Sequence, residues 1–465
     1  MKNSPSIFFC AIGGSGMLPL ALIMKERGSA VSGSDRGRDQ GRTPERFAFL
    51  ESQGIRLYPQ DGSGVTPAVS RVVVSTAVEE TIPDYRAALD CGLPIVRRAA
   101  LLAELFNEAK KRVAVAGTSG KSTTTGMIGW ILHQAGLRPT VMNGAVMKNF
   151  VTPEIPLASA LVGDPDLFVS EVDESDGSID GFTPTVAVLN NIALDHKTMD
   201  ELRGLFSRFV GKAQSVIINL DNEETARLAS PSMTTYSLRN PAATLVASDL
   251  VFKQDGVRFN VVHTPTGERA TLRLPVVGRH NVSNALAAMG AAMALGVSLT
   301  TSAKALESFS SIARRMEKIG QAKGMTVYDD FAHNPDKIGA SLEALHQFDG
   351  RLLILFQPHG FGPLKLMKDA FAAAFVAGLR PQDRLYVVDP LYLGGTVDRS
   401  VTSLDLTKGV EEQGRQAFYH PSRDDAAAAM ALEAAAGDRL IIMGARDDTL
   451  PALAQALLDK VAKSL

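Results

Sequence analysis

The segment that most constrains the fold of this chain is RVAVAGTSGKSTTTGMIGWILHQAG, which begins at Arg112. An apolar strand pattern runs directly into a glycine-rich turn, and an amphipathic helix pattern follows, with Gly136 placed to cap its end. A turn of this kind is suited to phosphate. Glycines let backbone N–H groups converge on phosphate oxygens, and the helix N-terminus adds the positive end of its dipole. Gly117, Thr118, Ser119, Gly120, Lys121, Ser122 and Thr123 are therefore expected to hold a nucleoside triphosphate. Lys121 would neutralise β/γ-phosphate charge, and the Ser122 hydroxyl would coordinate Mg²⁺. Val115 stands where the generic phosphate-loop pattern has its first glycine.

The same alternation of apolar strand and helix-period segment recurs along the 465 residues, as in parallel α/β proteins. A chain this long exceeds one ordinary core. Strands are expected at 6–10, 30–34, 72–75 and 94–96, with helices at 17–27 and 98–111. After the phosphate loop come strands at 167–172, 186–190 and 215–220. From 234 to 277 the period changes to two, with turn signals QDG and PTGE, which predicts an antiparallel β insertion. An alanine-rich helix, GRHNVSNALAAMGAAMALG, closes this part. A third α/β block starts after Arg314, with strands at 325–328, 352–356, 384–388 and 439–443. Its last helix spans 449–462, and the alanine run 425–436 is a further helix.

Three other segments carry candidate chemistry. Ala11-Ile12-Gly13-Gly14-Ser15-Gly16 follows the first strand, and Ser34-Asp35 ends the next. This is close to a dinucleotide fingerprint with an acidic residue about 20 positions on, although Ala11 replaces its first glycine. Alone it fits a structural turn or a nicotinamide site equally well. Glu171-Val172-Asp173-Glu174-Ser175-Asp176 ends another strand, where open α/β sheets place ligands. Four carboxylates so close repel unless cations or hydrogen bonds compensate, and Glu171 suits Mg²⁺. Asp195-His196 follows a further strand, and His196 is a second metal candidate. Finally, Arg314-Arg315-Met316-Glu317 precedes Tyr328-Asp329-Asp330-Phe331-Ala332-His333-Asn334-Pro335, offering arginines for phosphate and an aspartate for ribose hydroxyls.

Bulk properties narrow the partners. A formal charge of −2 argues against a broad nucleic-acid or anionic-membrane surface. Cys10 and Cys91 stand far apart in no metal-binding spacing, which fits a reducing compartment. The start, MKNSPSIFFCAIGGSG, reads as a first strand rather than a signal peptide, because its apolar run leads straight into a glycine loop. No window approaches the roughly 20 apolar residues of a membrane span. A cytoplasmic protein is expected.

The four segments together, in this order, resemble the Mur ligase family. GTSGKSTTT matches its phosphate loop, and EVDESDGS with Asn190, Asn191, Asp195 and His196 matches its central metal and substrate segments. GRHNVSNALAA matches its adenine-side helix, and RRME with DDFAHNP matches its ATP-closing elements. The likeness runs from Ile7 to about Ala454. It implies a Rossmann-like UDP-binding domain (1–107), a central P-loop ATPase-like domain with a β insertion (108–313), and a C-terminal Rossmann-like domain (314–465) that closes on ATP and binds the acceptor. The activity implied is ATP-dependent amide-bond formation between an amino acid, L-alanine, and UDP-N-acetylmuramate, through an acyl phosphate, in peptidoglycan precursor synthesis. Recycling of a muramyl tripeptide, or UDP-muramate binding without turnover, are the alternatives. Folylpolyglutamate-type ligases share only the later domains.

The resemblance also distributes roles. Lys121, Glu171 and His196 would be catalytic, with Ser122, Glu171 and His196 on Mg²⁺. ATP would take loop residues 117–123 together with Asn281, Arg315 and Asp330. IGGSGM, SGSD, VVVSTAV and PIVRRAALLAEL match members acting on UDP-N-acetylmuramate. Gly13, Gly14, Ser15, Gly16, Ser34, Asp35 and Ser75 would therefore bind the UDP-sugar, with no nicotinamide involved. FQPH points to His359 and Phe361 for the acceptor. Where alanine-adding members continue with an Arg-Tyr-Thr-Arg run, this chain has Gly360-Phe361-Gly362-Pro363, with Lys365 and Lys368 beyond. Ser119 and Ser122 stand where His and Thr are frequent. Some members use a carbamylated lysine, for which Lys212 lies too late in its helix.

Overall fold

Most strands find a parallel neighbour in one of three sheets, as a computed structural model describing residues 5–76, 78–194, 197–391, 398–445 and 447–463 shows. The first sheet holds β1 (Ser6–Cys10), β2 (Ala30–Ser34), β3 (Arg56–Tyr58), β4 (Arg71–Val74) and β5 (Ile95–Arg97), in the order β3-β2-β1-β4-β5. All its pairings are parallel. The chain works outward from β1 to one side and then crosses to the other. This makes a topological switch point at the carboxyl ends of β1 and β4, the usual place for a ligand crevice. The helix predicted over 98–111 stops at Glu108, and Lys111 already belongs to the next strand.

The second sheet contains β6 (Lys111–Ala116), β7 (Pro139–Met142), β8 (Ala160–Leu161), β9 (Asp164–Glu171), β10 (Val186–Leu189), β11 (Ser215–Asn219), β12 (Thr234–Ser237), β13 (Leu245–Lys253), β14 (Gly256–His263) and β15 (Glu268–Leu274). Their order is β15-β14-β13-β12-β11-β10-β6-β9-β7-β8. β6 lies between β9 and β10 and runs parallel to both, so its carboxyl end is again a switch point. The expectation of an antiparallel insertion over 234–277 needs correcting at its first strand. β12 is parallel to both β11 and β13, and this region extends the central sheet. Turns short enough for hairpins join β13 to β14 and β14 to β15. Alternating polarity reports one wet face and is silent on strand direction.

The third sheet comprises β16 (Glu317–Ala322), β17 (Met325–Asp330), β18 (Leu352–Gln357), β19 (Arg384–Val388), β20 (Ala417–His420) and β21 (Arg439–Gly444), ordered β16-β17-β21-β18-β19-β20. β16 is antiparallel to β17 and the remaining pairings are parallel. Sequence patterning missed β16 and β20, the two edge strands. The half-exposed, mixed residues of β16 carry no run for such a reading to detect. Alternate residues along the inner strands build two cores on opposite faces, one with Ile354, Phe356 and Ile441, the other with Leu353, Leu355 and Leu440.

The chain folds as two compact units. One contains Met1–Val251, Arg258–Pro275 and Asn281–Ile312, and the other Phe252–Val257, Val276–His280 and Ala313–Leu465. In the first unit a single core joins the first two sheets through the helices Met17–Glu26 and Arg98–Glu108. Phe106 meets Phe168 and Phe182 edge-on, at ring separations of 5.8 and 5.3 Å, which fixes the helix Arg98–Glu108 against the central sheet. Among the described residues no helix is long and apolar enough to cross a membrane.

Candidate active site

The phosphate loop leaves β6 and enters the helix Lys121–Gln134 through Gly120, whose φ of 83° lies in the left-handed region open to glycine. A Cβ at Gly120 would also sit 2.5 Å from Asn284 Oδ1. Asn284 in turn donates to Asn281 Oδ1 at 3.2 Å, placing the predicted nucleotide residue Asn281 next to the loop. The end of β10 braces the other side. Ser119 N–H donates to Asn191 Oδ1 at 2.9 Å, and the Asn191 amide returns a bond to Ser119 O at 3.1 Å. The Asn190 amide donates to Thr124 Oγ1 at 3.0 Å, and the Thr118 hydroxyl to Ala193 O at 3.1 Å. The loop backbone is thus held by contacts within the protein, and preorganisation of this kind lowers the entropy that binding must overcome.

Its charged groups converge. The Lys121 ammonium lies 2.8 Å from Glu174 Oε2 and donates to Gly117 O at 2.7 Å. Burial pushes its pKa down, but Glu174, Asp173 and Glu171 outweigh that and hold it above the ordinary value, so the ammonium is charged at neutral pH. The Ser122 hydroxyl donates to Glu171 Oε2 at 2.8 Å, bringing the two predicted Mg²⁺ ligands together. The other Glu171 oxygen accepts from Gly144 N–H, just beyond β7. Each carboxylate of this strand end has its own compensation. Asp173 accepts from Ser175 N–H and Asp176 from Ser178 N–H, both at 2.9 Å. Burial raises the pKa of Asp173, yet the Ser175 N–H, Lys121 and Arg98 bring it below the usual range. His196, and Asp195 beside it, fall outside the described residues. Among the described residues no group of three or more His, Cys, Asp or Glu could hold a metal unaided.

In the first sheet the loop after β1 turns through Ala11, which adopts φ 64° where the fingerprint has glycine. Such a conformation costs alanine about 1 kcal/mol and persists where the surroundings demand it. Asp35 accepts from Gly13 N–H at 2.9 Å and Gly37 N–H at 2.7 Å, so it ties this loop to the end of β2. Ser34 is fully buried with its hydroxyl donated to Asp84, and Ser75 O accepts from Arg97 at 3.2 Å. Gly14, Ser15 and Gly16 follow at the mouth of the turn, with the Arg98 side chain against Gly16. A cleft of about 490 Å³ opens beside them, lined by Thr76, Arg97, Arg98, Asp176, Gly177 and Ser178. Two arginines in its lining suit an anionic ligand.

In the second unit Arg315 lies over the Phe331 ring at 4.4 Å. Asp330 is buried, accepting from Met316 N–H at 3.2 Å and from the Ser341 hydroxyl, and so fixes the turn that carries Arg315. Its neighbour Asp329 is raised to about 7 by burial, which the nearby Arg314 only partly offsets. His333 and His359 stack with ring centres 5.1 Å apart. Burial holds His333 neutral by pushing its pKa down to about 3. Phe361 opens the helix Phe361–Gly378 two residues beyond His359. Lys212 is bound to Asp180.

Comparison with known proteins gives this geometry a context. A UDP-N-acetylmuramate–L-alanine ligase from Desulfosudis oleivorans is 34% identical over 457 residues, covering 95% of each chain. The chain belongs to the Mur ligase family. Three family profiles agree: Mur ligase family, catalytic domain, over residues 6–110; Mur ligase middle domain, 115–292; and Mur ligase, glutamate ligase domain, 314–446. The UDP-N-acetylmuramate–L-alanine ligase of Caulobacter vibrioides is 33% identical over 95% of this chain and 94% of its own. The crystal structure of the UDP-N-acetylmuramate-alanine ligase from Thermotoga maritima shares the fold at a TM-score of 0.81, with 24% identity and 98% of each chain covered. A murein peptide ligase from Psychrobacter arcticus is 26% identical, with a TM-score of 0.71 and coverage of 99% and 100%.

Within this Mur ligase fold, several site residues escaped the sequence reading. Glu174 was one acidic residue among four, and nothing local marked it as the partner of Lys121. Asn143 donates to Ser122 O at 2.8 Å, and Gly144 contacts Glu171. Their Asn-Gly dipeptide, directly after β7, was the available signal.

Proposed function

We propose that this chain is an ATP-dependent amide-bond ligase joining L-alanine to the lactyl carboxylate of UDP-N-acetylmuramate in peptidoglycan precursor synthesis. The observation that carries this reading is the convergence of Lys121, Ser122 and Glu171 on a braced glycine loop at a helix N-terminus. The relatives named above supply the substrate names.

In this reading the loop amides and Lys121 hold the β/γ-phosphates of ATP, with Asn281 beside the loop and Arg315 and Asp330 as the second unit's nucleotide residues. Ser122 and Glu171, two hard oxygen donors 2.8 Å apart, fit Mg²⁺ and are its proposed ligands. His196 remains proposed as a third. When bound, Mg²⁺ neutralises phosphate charge and polarises the transferring group. Lys121 stabilises the negative charge that spreads over the γ-phosphoryl oxygens as a carboxylate oxygen of UDP-N-acetylmuramate attacks and ADP leaves. The free amine of L-alanine then attacks the acyl phosphate carbonyl, phosphate departs, and the nitrogen loses a proton. Gly13, Gly14, Ser15, Gly16, Ser34, Asp35 and Ser75 are proposed for the UDP-sugar, and His359 and Phe361 for the acceptor.

The test is initial-rate phosphate release from ATP. It should require UDP-N-acetylmuramate and L-alanine together. Release with muramyl tripeptide instead of L-alanine would reassign the acceptor, and no release with any amine would leave only UDP-muramate binding.

A further inference from the structure

Cys10 and Ser34 end the neighbouring strands β1 and β2, and both side chains reach the same carboxylate. It belongs to Asp84, which is fully buried in the first turn of the helix Pro83–Asp90. One Asp84 oxygen accepts the Ser34 hydroxyl and, at 3.7 Å, the Cys10 thiol. The other accepts Gly62 N–H at 2.8 Å, from the loop that follows β3. Burial, with Asp84 beside it, pushes the Cys10 thiol up to about 12, so the thiol stays protonated and donates. Burial also holds Asp84 above the usual carboxylate range, although its donors pull the other way. A buried acid costs more than an apolar residue of the same size unless hydrogen bonds compensate, and here they gather three separate segments on one group.

We infer that Asp84 is a positioning residue for UDP-sugar binding, setting the shape of the turn 11–16 through Cys10 and Ser34. This rests on the reading of that turn as the UDP-sugar side. The path from the carboxylate to the turn is short. Ser34 O accepts Ile12 N–H at 2.9 Å, and the next residue, Asp35, accepts Gly13 N–H at 2.9 Å. On the other strand Cys10 leads directly into Ala11, with its left-handed φ of 64°. Tying the residue before Ala11 and the residue before Asp35 to one point leaves the turn little room to relax. Surroundings that over-determine the backbone in this way are what keep a left-handed alanine in place. Ser34 then serves the ligand through its backbone, because its hydroxyl is committed to Asp84. A turn held in one shape loses less ordering entropy on binding. Sequence inspection could not find this residue, since Asp84 lies fifty positions from Ser34 and seventy-four from Cys10.

The experiment measures binding of UDP-N-acetylmuramate and, separately, of ADP to the full chain by calorimetry, with thermal unfolding run in parallel. Asp84→Ala should weaken UDP-N-acetylmuramate binding by about tenfold or more, the scale for losing a hydrogen bond to a charged group. ADP binding should be unchanged. Asp84→Asn should recover most of the loss, because an amide of the same shape can accept from Gly62 N–H and donate to the Ser34 hydroxyl oxygen. Ser34→Ala keeps the buried acid and gives the reading should Asp84→Ala fail to fold. It too should weaken UDP-N-acetylmuramate alone, and in turnover raise the KM for that substrate with kcat unchanged. A lower melting temperature with unaltered UDP-N-acetylmuramate affinity, or equal losses for both ligands, would overturn the assignment. If the unmodified chain does not bind UDP-N-acetylmuramate, the reading of the turn falls first and takes this inference with it.

Discussion

Replacing Gly144 with alanine should separate stability from chemistry. The added methyl would clash with Glu171 Oε1, the oxygen that now accepts the Gly144 N–H. The carboxylate must retreat by about 1 Å to restore an ordinary contact, and hydrogen bonds weaken steeply over such a step. The atom displaced is the end of a flexible side chain, so the fold should adjust with a shift in melting temperature below about 4 °C. Function should not adjust. The same carboxylate is held 2.8 Å from Ser122 Oγ by its other oxygen, and both are the proposed Mg²⁺ ligands. Misplacing a group of the reacting centre by about 1 Å costs on the order of 100-fold in rate. One charge-assisted bond lost should also raise the Mg²⁺ concentration for half-maximal activity by about tenfold or more. The assay is phosphate release across an Mg²⁺ titration, run beside thermal unfolding. Wild-type turnover with an unchanged Mg²⁺ midpoint would refute the assignment of Glu171 as a ligand.

Lys121→Ala should abolish phosphate release and also lower stability by about 1–3 kcal/mol, because it strands the buried Glu174 carboxylate. Adding Glu174→Gln should restore the denaturation midpoint and leave activity absent. Gly14→Val should raise the KM for UDP-N-acetylmuramate at least about tenfold with ATP affinity unchanged, since a Cβ there meets nothing closer than 3.4 Å and a branched side chain obstructs the ligand rather than the fold; matched KM measurements decide it. Asp329 has its pKa raised from 3.8 to about 7 by burial, so its contribution to stability is full below pH 3.8 and is lost as pH rises to about 7. Asp329→Asn should flatten that part of the stability–pH curve, read by chemical denaturation at intervals across the window.

What could be read from sequence was whatever the chain encodes contiguously. The run entering Gly117 is apolar because β6 is buried between β9 and β10, and the loop glycines answer to the left-handed turn at Gly120. Both causes act within a few residues, so both leave a local mark. Strand direction at β12 and β13 leaves none, because either pairing produces the same alternation of wet and dry side chains. The partners of the site residues are equally hidden. Glu174 meets Lys121 across fifty-three positions, and Asn191 meets Ser119 across seventy-two. The family resemblance pointed to Asn190 and Asn191, but their role as braces of the loop backbone became visible only in three dimensions. Asp35 was expected to bind the UDP-sugar and Asp330 the nucleotide, and each is seen holding the backbone of the turn next to a proposed ligand residue.

The position of β21 has a consequence for how the second unit is made. β21 joins β17 on one side to β18 on the other, yet it is synthesised more than eighty residues after β18 and over a hundred after β17. At a translation rate of about 5–20 residues per second, β17 waits on the order of 5–20 s for its neighbour. Throughout that interval two interior strands expose unpaired edges, the arrangement most prone to pair with another chain. A ribosome stalled before Arg439 would therefore release two incomplete half-sheets rather than a shortened domain, and a holding chaperone would find its binding site at β17 and β18.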